Sequence, residues 1–263
     1  MNPSSPKPVV LCFSGLDPTG GAGIQADIEA ISSQGCHTAP IITALTVQNT
    51  HNVEDFQPVE AQLLIQQARS VLEDMPVTSI KIGMLGSIEV TEAIHSLLRD
   101  YPKLPVIFDP VMSAGGGSAL MKSSLTDAIK TLILPLCKLV TPNIPEANQL
   151  AREADTLDAA AIELLDMGAE YVLLTGSHDR TADIHHKLFG NNRLLKTFNY
   201  QRLEGEYHGS GCTLAASIAA LLAQGEDMTN AVHSALDYTY KTLLNAQRLG
   251  MGQLIPDRFF WIK

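Results

Sequence analysis

Residues 9–14 (VVLCFS) form an unbroken apolar run that stops abruptly in the glycine-rich segment 15–23, GLDPTGGAG. The following stretch, IQADIEAISSQG, carries Ile24, Ile28 and Ile31 at helical spacing on one face. Strand, glycine loop and helix in that order open a βαβ unit. An apolar run without polar alternation reads as a strand buried on both faces, the hallmark of a parallel sheet.

The pattern recurs down the chain. Residues 40–47 read as a strand ending at Gln48, 60–72 as a helix, 79–82 as a strand and 88–98 as a helix. Next come a strand at 105–108 ending at Asp109, a helix at 125–134, and a strand at 138–140 ending before Asn143 and Glu146. A helical stretch from 147, a helix at 159–167 and a strand at 171–174 ending at Thr175 follow. Residues 182–203 alternate around a Gly-Asn-Asn turn and predict an antiparallel hairpin at one sheet edge. A helix after Cys212 and a long one over 228–248 close the chain. Without a linker, repeat or low-complexity tract, the expectation is a single α/β domain over 1–263. It is a doubly wound, mostly parallel sheet with helices on both faces, and residues 1–7 are expected to be flexible.

In such a sheet the carboxyl ends of the strands share one rim, where ligands bind. Asp17, Gln48, Asp109, Asn143, Glu146 and His178 all come just after predicted strands. Each also has a purely structural reading: Asp17 and Asp109 as turn residues before prolines, Asn143 as a helix cap, Gln48 as an exposed turn residue. Loop 15–23 contains neither of the two common nucleotide fingerprints. The glycine-rich segment 113–119 reads as a mobile or ligand-covering loop.

The second organising stretch is YHGSGCT (207–213), followed by the Ala/Leu-rich LAASIAALLA. A glycine turn opening a helix gathers unpaired N–H groups and the positive end of the helix dipole at one point, an anion site. Cys212 sits there, where a helix N-terminus is expected to lower a thiol's pKa. The alternative is a small residue capping a packed helix.

Composition narrows the partners. The formal net charge is −10 with no Lys/Arg cluster, which argues against nucleic acid or an anionic membrane surface. Cys12, Cys36, Cys137 and Cys212 are far apart with no CxxC pair, as expected for free thiols in a reducing compartment. No apolar run approaches the ~20 residues needed to span a bilayer. The expected setting is cytoplasmic.

Six stretches in order, GLDPTGGAGIQADI (15–28), ITALTVQNT (42–50), KIGML (81–85), DPVM (109–112), TPNIPEA (141–147) and HGSGCTLAASIAAL (208–221), resemble the hydroxymethylpyrimidine/phosphomethylpyrimidine kinases of the ribokinase-like superfamily. That resemblance implies ATP- and Mg2+-dependent phosphorylation of 4-amino-5-hydroxymethyl-2-methylpyrimidine, then of its monophosphate, for thiamine diphosphate synthesis, usually by a homodimer. It implies that Gln48, Gly15, Asp27, Met84 and Val111 bind the pyrimidine, with the Gln48 amide pairing with the ring's amino group and nitrogen. Gly209, Ser210 and Gly211 would cradle the transferring phosphoryl group, with Cys212 as proton acceptor. Asn143, Glu146 and Thr175 would lie beside the nucleotide phosphates, Glu146 and Asp109 holding Mg2+ largely through water. Asp27 could equally be a charge on the solvated face of its helix.

Three segments depart from the family. Thr175 stands where a lysine is common, so another cation must meet the phosphate charge. Glu206-Tyr207-His208 replaces Asn-Thr-His before the glycine turn, and the tail GMGQLIPDRFFWIK replaces a glycine-rich ending. These departures bear most on the second phosphorylation, which must bind a charged monophosphate. Two alternatives remain from the sequence: a pyridoxal-type kinase, whose usual base is aspartate, and an aminopyrimidine-binding sensor without turnover.

Overall fold

The structure is a computed structural model that describes residues 6–112, 123–176 and 182–262. Its centre is β1 (Val9–Leu16), whose apolar run is continuous because both faces are covered. Val9, Leu11 and Phe13 point into one hydrophobic core, and Val10 and Cys12 into another on the opposite side. A strand's side chains alternate in direction, so one apolar run feeds two helical layers.

The strands β2 (His37–Gln48), β4 (Val77–Ile82), β5 (Val106–Phe108), β6 (Leu139–Val140) and β7 (Tyr171–Leu174) join β1 in parallel, in the order β2-β1-β4-β5-β6-β7. One layer contains α2 (Ala61–Asp74), α3 (Ile88–Asp100), α4 (Ser123–Ala128), α5 (Ile144–Leu150) and α6 (Leu157–Asp166). The other contains α1 (Gly23–Ser33), α7 (Ser210–Ala223) and α8 (Met228–Leu244). No helix of the described residues is long and apolar enough to cross a membrane.

The edge hairpin is present as β8 (Asp183–Gly190) and β9 (Arg193–Gln201), with Asn191 and Asn192 at positive φ in its two-residue turn. The opposite edge departs from expectation. β3 (Val53–Pro58) pairs antiparallel with β2, where no strand was expected. An Asn49 side chain that accepts from the His51 and Asn52 N–H groups closes the turn between them. Gln48 therefore ends an antiparallel arm, paired with Val53, and does not lead directly into a helix.

Element ends shift where prolines and caps intervene. The helix expected over 125–134 is α-helical only to Ala128 and continues as a wide turn (Ile129–Ile133) and a 3-10 turn (Leu134–Leu136). Pro135 lacks an N–H and crowds the preceding turn, which disfavours a regular helix there. The stretch read as helical from 147 starts at Ile144, behind an Asn143 cap. The last helix stops at Leu244, not 248, because Gln247 pairs its backbone with Ile255. The expected flexibility of residues 1–7 falls largely outside the described residues, as do the glycine-rich segment 113–119 and His178.

Candidate active site

Loop 15–23 leaves β1 at the sheet's carboxyl edge and is shaped by Asp17. Its carboxylate accepts from the Thr19 N–H and hydroxyl and from the Ala22 N–H, all at 2.8 Å. His208 Nε2 lies 2.8 Å from the same carboxylate. Burial alone would raise the Asp17 pKa, but His208 and Thr19 together hold it well below the usual carboxylate range. Asp17 is thus a turn residue, as its sequence position suggested, and also the link between two segments 191 positions apart.

Turn 209–212 packs directly on this loop. Gly209 has φ +80° and a Cβ there would stand 2.1 Å from the Gly21 carbonyl oxygen, so only glycine fits. The residue is the N-cap of α7 and offers no side chain to satisfy the first-turn N–H groups. Those groups remain available to an anion at the positive helix end. Gly23, at φ +58°, makes a matching approach to the Gly15 carbonyl, with 2.3 Å to a hypothetical Cβ.

Below the turn lies a buried ionic cluster. Lys81, on β4, and Asp27, on α1, are both 0 % exposed and meet at 2.9 Å. The Ser14 hydroxyl donates to Asp27 and accepts from Lys81 at 3.0 Å. This overturns the reading of Asp27 as a charge on the solvated face of its helix: the side chain is buried and paired with Lys81. Its place three residues after Ile24 put it on the apolar face, and a lysine in the buried strand VTSIKI needed a partner there. Burial by itself would lower the Lys81 pKa, but Asp27, then Cys212 and Asp109, hold it above its ordinary value, so Lys81 is a fixed cation beneath the anion turn.

Cys212 faces this cluster and reverses the expected shift. Burial pushes its thiol up to about 12, and the carboxylates of Asp109 and Asp27 add to the rise. Lys81 and the Gly23 N–H oppose it but do not prevail. The lowering expected from the helix end is outweighed by burial and the nearby carboxylates, which favour the thiol form of Cys212.

On the other side of the turn, Asp109 follows β5, and a Cβ on Gly211 would come 3.6 Å from its carboxylate. Burial raises the Asp109 pKa despite the neighbouring Lys81. Its Oδ2 is buried with no hydrogen-bond partner. Glu146 is pushed up to about 8, first by burial and then by Asp109. Asn143 and Glu146 form a capping box: the Asn143 side chain accepts from the Glu146 N–H at 3.0 Å and Glu146 accepts from the Asn143 N–H at 2.9 Å. The helix-cap reading of Asn143 is therefore correct. Thr175 bridges to Asn143 through the backbone, its N–H donating to the Pro142 carbonyl. Asp109, Asn143, Glu146 and Thr175 thus form one rim beside the anion turn.

Two buried carboxyl groups with raised pKa values, Glu146 raised in part by Asp109, and an unpartnered Asp109 oxygen fit a hard cation. No group of three or more His, Cys, Asp or Glu side chains among the described residues forms a metal cage. Such an ion would need water or phosphate oxygens to complete its shell, as Mg2+ commonly does.

Of the expected pyrimidine-binding residues, the structure brings Gly15 and Met84 together: a Cβ on Gly15 would lie 3.1 Å from the Met84 sulfur. Gln48 is half-buried at the end of β2, and Val111 is half-buried after Asp109. Lys81, His208 and Arg258 were missed by the sequence reading. The signal for Lys81 was a charge inside an apolar strand, and for Arg258 a charge within the apolar tail IPDRFFW.

Comparison with known proteins is consistent with this geometry. A family model described as phosphomethylpyrimidine kinase matches residues 17–257. The Geobacter sulfurreducens thiamine biosynthesis bifunctional protein ThiED is 38% identical over 251 residues, which is 94% of this chain; the chain spans only 51% of that protein's length. The crystal structure of a phosphomethylpyrimidine kinase from Clostridium difficile is 32% identical with a TM-score of 0.79, covering 90% of this chain and 100% of that one. The pyridoxal kinase from Staphylococcus aureus in complex with ADP superimposes with a TM-score of 0.89 over 98% of this chain and 96% of its own, at 24% identity, a likeness of fold.

Proposed function

The chain belongs to the phosphomethylpyrimidine kinase family and is a phosphotransferase, and from that premise we propose that it uses ATP to phosphorylate 4-amino-5-hydroxymethyl-2-methylpyrimidine and then the monophosphate. The observation that carries this reading is the uncapped start of α7. First-turn N–H groups, the Cys212 thiol and the Asp109 carboxylate meet there, against the loop that holds Gly15.

Phosphoryl transfer depends mainly on positioning and charge stabilisation. The N–H groups of turn 209–212 cradle the transferring phosphoryl group, and Lys81 supplies a fixed positive charge beneath them. This cation answers the loss of the lysine at Thr175, although its ammonium is enclosed and acts through its field. Gly15 and Met84 form an apolar wall for the ring, Val111 extends it, and the Gln48 amide reads the amino group and ring nitrogen. Asn143 and Thr175 lie beside the nucleotide phosphates. When bound with ATP, Mg2+ supplies neutralisation of phosphate charge, and Glu146 and Asp109 are the side chains that would hold it. Cys212 accepts the alcohol's proton only as a thiolate, which Lys81 and the Gly23 N–H favour. We carry the homodimer as part of the same reading, to be checked by sedimentation.

The test is ATP turnover with the purified chain, Mg2+ and the aminopyrimidine alcohol, with mono- and diphosphate products separated and pyridoxal run in parallel. Both products are expected, and Cys212→Ala should lose on the order of 10²- to 10⁴-fold in kcat. Monophosphate alone would confine the proposal to the first step. A preference for pyridoxal, or no product, would overturn it.

A further inference from the structure

Arg258 lies in the C-terminal tail, one residue past the family match, and is 1 % exposed. Its guanidinium reaches three elements. Nη2 donates to the Gly21 carbonyl at 2.5 Å, Nε to the Thr213 hydroxyl at 2.9 Å, and Nη1 pairs with Glu29 on α1 at 3.0 Å. The Thr213 hydroxyl in turn donates to the Gly209 carbonyl at 2.8 Å. The Arg258 backbone is itself fixed, its carbonyl accepting from Ser33 at 2.7 Å and Tyr238 at 2.9 Å.

These bonds converge on the seam where Gly209 presses against the Gly21 carbonyl. Arg258 holds Gly21 directly and Gly209 through Thr213, so one planar group fixes both sides. An ammonium places its donors at a single point and cannot span the two acceptors in the same way. Two of the three partners are neutral groups, although burying a guanidinium is costly unless it is well bonded. Glu29 is partly exposed and is the weaker constraint on geometry.

We propose that Arg258 is a positioning residue for phosphoryl transfer, setting the N–H groups of turn 209–212 against loop 15–23. This rests on reading that turn as the phosphoryl cradle. Arg258 touches no reacting atom and acts through the Gly21 and Gly209 carbonyls. An open groove of about 540 Å³, lined by Asp17, Thr19, Glu29 and Arg258, runs beside the enclosed side chain, and truncation to alanine would open its place to that groove. A small cation therefore has a route to the same place.

The test uses the full chain with Arg258→Ala, Arg258→Lys and Glu29→Gln. For Arg258→Ala, kcat should fall about 10²-fold, since small misplacements away from the chemistry cost that much. KM for the alcohol should stay within about threefold, because the ring contacts are untouched. Guanidinium chloride at non-denaturing, tens-of-millimolar concentration should recover about tenfold of the lost kcat in Arg258→Ala, with no gain in wild type or Cys212→Ala. Arg258→Lys should remain impaired, and Glu29→Gln should stay within about threefold of wild type.

Hydrogen exchange gives a readout independent of turnover. Arg258→Ala should quicken exchange in peptides covering 20–23 and 209–213, leaving the β1 and β4 peptides unchanged. Should Arg258→Ala fail to fold, Arg258→Lys and Thr213→Val carry the same kinetic and exchange predictions. A folded variant with wild-type kcat, or exchange quickened evenly along the chain, would overturn the proposal. Wild-type inactivity toward the alcohol would instead overturn the kinase reading, with the exchange result still deciding the role of Arg258.

Discussion

The two sides of the candidate site are built by different means. On one side, loop 15–23 and turn 209–212 are fastened by the protein itself: Asp17 to His208, Arg258 to Gly21 and Thr213, Gly209 against Gly21. The polar bonds there are made, and the Asp17 charge is stabilised. On the other side, burial raises the pKa of both Asp109 and Glu146, Asp109 raises that of Glu146 further, and Asp109 Oδ2 is left without a partner. The first side is preorganised by contacts. The second lacks a positive charge, and what arrives with the nucleotide is suited to provide it.

Lys81 stands between the two sides, and its removal should show the largest effect. Lys81→Met leaves Asp27 as an uncompensated buried charge, and a loss of about 3–5 kcal/mol in urea unfolding is expected. Combining Lys81→Met with Asp27→Leu should recover most of that loss, since both charges are then gone. If the double variant is as unstable as the single one, the pair is not the cause.

A smaller effect should follow from Asp17→Asn, which weakens several bonds at once on the preorganised side. A loss of about 1–3 kcal/mol is expected, with exchange quickened in loop 15–23. The sign with pH is fixed. A carboxylate held below its unfolded pKa contributes stability above that value and loses it as pH falls, so the variant should flatten the acid limb of the stability curve. An unchanged acid limb would mean that the Asp17–His208 link is incidental.

The smallest effect belongs to the rim. Asn143→Ala removes one half of the capping box on α5 and should cost about 1 kcal/mol. A much larger loss of nucleotide affinity than of stability would show that Asn143 serves the ligand as well as the helix.

How much of this was readable beforehand depends on the range of the interaction. The parallel strands were legible because burial on both faces writes itself as apolar runs, as in VVLCFS. The glycine turn before α7 was legible because its conformation needs Gly209. β3 was not, because its residues face water at an edge and carry no apolar pattern; pairing with β2 defines it. The solvated-face reading of Asp27 and the lowered pKa expected for Cys212 failed for one reason. Each was weighed against its own helix, while its state is set by Lys81 and Asp109 from other strands. The Arg258 bonds join residues 45, 229 and 237 positions apart, and no local pattern announces them.

The contrast between the two sides reduces to a claim about charge at the rim, and thermal unfolding against pH with and without Mg2+ tests it most directly. Glu146 is raised from 4.5 to about 8, so the folded chain holds that proton longer than the unfolded one. Stability should therefore fall as pH rises through that interval, and Mg2+ should restore it at the upper end. In Asp109→Asn both the fall and the Mg2+ effect should shrink. Wild-type stability that stays flat between those values and does not respond to Mg2+ would contradict the account, because Glu146 would then titrate alike in the folded and unfolded chain and the rim would not bind the cation.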